Sequence, residues 1–72
     1  MYQVHSVTIQ KEDREKADAI LYSHQYDYDD IREDGSVDSQ GNCTITYWIK
    51  PYIYEDFETI VNEFKENGIR VM

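Results

Sequence analysis

The sequence predicts an α+β domain in which two helices cover one face of a four-stranded antiparallel sheet. Two observations predict it. Apolar residues alternate with a period of two in the opening residues and again in the middle of the chain, and they recur with a period near 3.6 in two other segments. Residues that favour turns and helix ends separate these segments.

Each element has its own signature. From Tyr2 to Ile9, His5, Val7 and Ile9 lie on one side of an extended chain, with Tyr2, Val4, Ser6 and Thr8 on the other. From about Lys11 to His24 the period changes: Ala17, Ile20, Leu21 and His24 fall at i, i+3, i+4 and i+7, so this segment is expected to be an amphipathic helix. Tyr26 to Arg32 reads as a second strand, and Asp34-Gly35 to Gly41-Asn42 as its turn, with Ser36-Val37-Asp38 a short extension of one of the flanking strands. Asn42 to Ile49 alternates cleanly, Cys43, Ile45, Tyr47 and Ile49 opposite Thr44, Thr46 and Trp48, and Pro51 ends the run. A second helix starts near Tyr54, carries Phe57, Ile60, Val61 and Phe64 on one face, and stops at Asn67-Gly68. Ile69 to Met72 has room for one short closing strand. The order β-α-β-β-α-β is that of the ferredoxin-like sandwich, and residues 1–72 are read as a single domain.

Length and composition bound what such a domain does. The chain has 72 residues, of which 40% are hydrophobic and ten are aromatic, seven of these being Tyr. That aromatic content is unlike a disordered acidic chain. A domain of this size buries only roughly 60% of its unfolded surface, which leaves little core for an internal cofactor cavity. Binding at the surface is the expectation, with no cofactor. Cys43 is the only cysteine, so no intramolecular disulfide forms, and no apolar run approaches the roughly 20 residues of a membrane span. With no secretory signal in its first residues, the chain reads as cytosolic.

The charge is the most informative quantity. Fifteen Asp and Glu against seven Lys and Arg leave a formal charge of -8. Direct nucleic-acid binding rests on Lys and Arg neutralising phosphates, so this balance disfavours it. The excess is local. Residues 1–24 carry four acids and three bases, residues 25–49 six acids and one base, and residues 50–72 five acids and three bases. The middle third holds Asp27, Asp29, Asp30, Glu33, Asp34 and Asp38, with Tyr26 and Tyr28 interleaved and Arg32 as the sole cation.

Two accounts of that segment compete. In the simpler one, the charges keep an edge strand soluble and block edge-to-edge aggregation. In the other, the acids and tyrosines form a docking face for a basic protein surface. If Asp27 and Asp29 lie on a strand, same-face carboxylates repeat every ~6.6 Å and can stand in for phosphates. Tyrosine supplies a flat ring and a hydroxyl, and is enriched at interface hot spots. In size, charge and Tyr content the chain resembles the class of small acidic nucleic-acid mimics made by phages and mobile elements, which block restriction enzymes, DNA repair enzymes or CRISPR effectors. The resemblance covers no alignable motif. It implies an inhibitor of a nucleic-acid-handling protein, of the anti-CRISPR or antirestriction kind, acting in the host cytoplasm if phage-encoded.

Motifs with their own chemistry are weak. Asp30 to Gly41 can be laid over a calcium-binding loop, but Arg32 stands where an oxygen ligand belongs and Gly41 where a bidentate carboxylate is needed. His5, His24 and Cys43 form no metal-ligand pair, and Cys43 reads as a small core residue without the neighbouring cation of a reactive thiol. Gly35, Gly41 and Gly68 have turn or cap explanations and form no phosphate loop. No metal site and no enzyme activity are expected. Tyr2, Tyr47 and Trp48 lie at positions suited to stacking RNA bases, yet the basic field of an RNA-recognition surface is missing. If Cys43, Ile45, Tyr47 and Ile49 face the helices, Trp48 lies on the open sheet face, where it would serve a homodimer or a larger subunit. A small regulatory or assembly module is therefore the alternative to the inhibitor.

Overall fold

The computed structural model describes residues 2–24, 30–50 and 56–72. Among them the architecture is mixed α+β: a three-stranded antiparallel sheet with two helices packed on one face. Strand β1 is Gln3–Gln10, helix α1 is Arg14–Tyr22 after one 3-10 turn at Lys11–Asp13, strands β2 and β3 are Ile31–Val37 and Asn42–Ile49, and helix α2 is Phe57–Glu66. The sheet order is β1-β3-β2, so β3 is central and antiparallel to both neighbours.

The strand alternation sets the two faces. Val7, Ile9, Cys43, Ile45, Tyr47 and Ile49 are buried beneath the helices, and they meet Ala17 and Leu21 of α1 and Phe57, Ile60 and Phe64 of α2. His5, on the same side, stacks flat on Phe57 with ring centroids 4.4 Å apart. His24 pairs its Nε2 with Glu63 of α2, joining the end of one helix to the middle of the other. On the opposite face, rows run across the sheet in the order Val4, Trp48, Arg32; then Ser6, Thr46, Asp34; then Thr8, Thr44, Ser36. Hydroxyls pair within these rows, Ser6 with Thr46 at 3.2 Å and Thr8 with Thr44 at 2.9 Å.

Helix α2 is bounded by its own side chains. Asp56 caps the start by accepting a hydrogen bond from the Glu58 amide at 3.1 Å. Gly68, at φ +81, ends it in the left-handed region. The Gly68 amide donates to the Lys65 carbonyl and the Ile69 amide to the Phe64 carbonyl, which is the Schellman pairing, with Ile69 buried.

Three expectations change. The acidic strand spans Ile31–Val37, whereas its expected start at Tyr26 lies outside the described residues, as do Pro51 and the expected helix start at Tyr54. Asp34 and Gly35 belong to β2 and not to the turn; the Arg14 guanidinium fills the space where a side chain at Gly35 would project. The turn is confined to residues 38–41, closed by Gly41 at φ +81. Finally, the closing strand is not part of the ladder. The Schellman pairing engages the Ile69 amide, and the tail meets β1 through a bond from the Met72 amide to the Thr8 carbonyl at 2.9 Å.

Candidate functional site

The edge strand β2 carries two of the acids that the sequence singles out, Glu33 and Asp34, and it divides them. Antiparallel residues project alternately, so Glu33 faces the helices while Arg32 and Asp34 face the open side. Asp34 is exposed. Asp30 stands just before the strand, its Oδ1 3.7 Å from Lys50 Nζ. Asp38 closes the hairpin: its Oδ1 accepts from the Gln40 amide at 2.8 Å and the Asn42 amide at 3.0 Å. Those amides, Asn42 foremost, hold its carboxyl below the usual range. Asp27, Asp29, Tyr26 and Tyr28 lie outside the described residues. Trp48 is half-buried on the open face, in the row between Val4 and Arg32.

Glu33 enters a polar cluster that the sequence reading missed. Its Oε1 accepts from Arg14 Nη2 at 3.0 Å, while its Oε2 is buried without a hydrogen-bond donor. Arg14 also approaches Asp18 one helical turn on, Nε to Oδ2 at 4.0 Å. Asp18 Oδ1 accepts from the Tyr47 hydroxyl at 3.1 Å. Burial, then hydrogen bonding to Glu33 and its charge, push the Asp18 carboxyl up to about 6, while Tyr47 and Arg14 pull the other way. The buried, donor-less Glu33 Oε2 and the Asp18 carboxyl thus share one side of the cluster, where burial and Glu33 favour the protonated form of Asp18. Burial and the neighbouring Asp18 push the Tyr47 phenol far up, so it remains a neutral donor. Arg14 is held above its ordinary value, chiefly by its bond to Glu33.

The members of this cluster were visible singly. Arg14 and Asp18 stand at i, i+4, and Tyr47 occupies an inward position where a buried hydroxyl needs a partner. Only the packing of α1 on the sheet brings Glu33 between them.

Two depressions flank β2. One, about 470 Å³, lies on the helix side and is lined by Glu15, Asp18, Ala19, Tyr22 and Glu33. The other, about 320 Å³, is lined by Tyr2, Arg32, Glu33 and Trp48. Glu33 borders both. Among the described residues no group of three His, Cys, Asp or Glu side chains is placed to hold a metal ion, and Cys43 is wholly buried. No described helix is long and apolar enough to cross a membrane. The arrangement offers carboxylates, a neutral phenol and aromatic walls around an edge strand, a chemistry suited to receiving cationic groups. Compared with family models, curated proteins and solved structures, the chain matches none.

Proposed function

We propose that this protein is a non-catalytic binding module that occupies the basic, nucleic-acid-handling surface of another protein and so excludes DNA or RNA from it. One observation carries the reading: residues 25–49 hold six acids and one base, and the described acids among them lie just before the edge strand β2, on it, or in the turn that follows it. A field of one sign at an edge speeds encounter with a basic cleft and sets specificity. The same reading takes the fold to be the ferredoxin-like sandwich, with residues 69–72 in the place of its fourth strand beside β1. The bond from the Met72 amide to Thr8 supports that placement.

The test is a gel-shift competition in which a nucleic-acid-binding protein holds a labelled duplex. The chain is expected to release the duplex at low salt and less well at high salt. Asp27→Asn with Asp34→Asn is expected to weaken release about tenfold. Asp34 is chosen because it is exposed, whereas Asp30 already stands beside Lys50. Release that is absent, or indifferent to both salt and substitution, refutes the inhibitor.

A second reading has its own observation. Val4 is 56% exposed on the open sheet face, next to Trp48 and the depression lined by Tyr2 and Arg32. This face suits a homodimer or a larger subunit. Sedimentation is expected to show a dimer that Trp48→Ala dissociates; a monomer at all concentrations leaves the larger subunit as the only form of this reading.

A further inference from the structure

The edge of β2 away from β3 has a defined hydrogen-bonding pattern. The Lys50 amide donates to the Asp30 carbonyl at 3.1 Å, and the Asp38 amide to the Asn42 carbonyl at 2.9 Å, so the ladder to β3 is bonded at both ends on even-numbered residues of this segment. Bonded and non-bonded pairs alternate in an antiparallel ladder. The peptide groups of Arg32, Asp34 and Ser36 therefore point to β3, and those of Ile31, Glu33, Gly35 and Val37 point outward. Sheet order β1-β3-β2 leaves that side without a strand neighbour among the described residues.

We propose that β2 accepts an extended, lysine- or arginine-bearing segment of a partner as an added strand, its basic side chain opposite Glu33 entering the depression between α1 and β2. The proposal rests on the binding-module reading and specifies how the partner is held. Strand addition combines backbone bonds with pockets for alternate side chains. Both halves are present here. A residue paired with Glu33 projects to the helix side, into the depression lined by Glu15, Asp18, Tyr22 and Glu33, where carboxylates and a phenol ring suit an ammonium or guanidinium. Its neighbours in the added strand project to the open side, beside Trp48 and Arg32, where apolar side chains fit.

Charge also selects the occupant. Pairing of β2 with β2 of a second copy would bring Glu33 and Asp34 near their own kind, which opposes self-association at this edge. The same carboxylates favour a basic strand, so one feature excludes the wrong partner and attracts the right one. The guanidinium of Arg14 over Gly35 keeps Glu33 at the edge, bonded through one oxygen only.

The probe is a blocked heptapeptide of alternating lysine and valine, titrated into the full chain at low salt, together with two versions N-methylated at the lysines or at the valines. With lysine opposite Glu33, lysine amides face β2 and valine amides face solvent. Methylating the lysines is expected to weaken binding at least tenfold, and methylating the valines to change it little. Amide exchange at Ile31, Glu33, Gly35 and Val37 is expected to slow on binding of the parent peptide, with Arg32, Asp34 and Ser36 unchanged. Equal binding of all three peptides overturns strand addition while leaving charge-driven docking intact. Absence of peptide binding, with duplex release still observed, overturns it likewise. Selective binding with no duplex release leaves the added strand standing and removes the inhibitor reading.

Discussion

Asp18→Asn is expected to stabilise the protein by about 2–3 kcal/mol at about pH 8 and by almost nothing at about pH 4. The Asp18 carboxyl is raised from 3.8 to about 6, first by burial and then by Glu33. Its side chain is 25% exposed, so solvent screens it only in part. A raised carboxyl makes folding favour the protonated form. Its contribution is complete below the unfolded value near 4 and is lost as pH climbs through about 6, where the folded protein must hold two carboxylates side by side. Asparagine reproduces the protonated state: its Nδ2 can donate to the orphaned Glu33 Oε2, and its Oδ1 can accept from Tyr47. Urea denaturation of both proteins across this pH range checks it. The difference between variant and parent is the quantity to follow, because Asp38, held low by turn amides, acts in the opposite direction and cancels in the comparison. A difference that does not change with pH refutes the raised Asp18 carboxyl.

Phe64→Ala is expected to cost about 3–5 kcal/mol, against a total stability of about 4–11 kcal/mol for a chain of this length. Phe64 is fully buried, and its carbonyl receives the Ile69 amide at the helix end. The cavity would open where α2 meets the sheet, in a domain with little other core to compensate. Thermal unfolding is expected to show a midpoint lowered by about 12–40 °C. Phe64→Leu, which keeps most of the volume, is expected to remain folded; equal loss in both would point to a specific need for the ring.

Most of the fold was legible in short stretches of sequence. The inward faces of β1 and β3 follow from strict alternation, and Asp56, Asn67 and Gly68 bound α2 by hydrogen bonds that reach no farther than five residues. Gly35 was misread because glycine in a row of polar residues is the usual mark of a turn. The group that fills its side-chain space, the guanidinium of Arg14, lies 21 positions away in the chain. The closing segment is divided between two elements: the Ile69 amide serves the end of α2, and the Met72 amide reaches β1.

The candidate site divides along the same line. Composition determined that the protein carries -8, and the order of residues that the excess sits in residues 25–49 and that Trp48 alternates away from the inward residues of its strand. What each acid does was decided by tertiary structure. Asp38 serves the turn, Asp30 stands by Lys50, Glu33 is drawn to Arg14 across 19 positions, and Asp34 lies exposed on the open face of β2. Charge is a property of residues and can be counted along a line. Partnership depends on distances of a few ångströms between residues far apart in the chain, and only the packing of α1 against the sheet sets them.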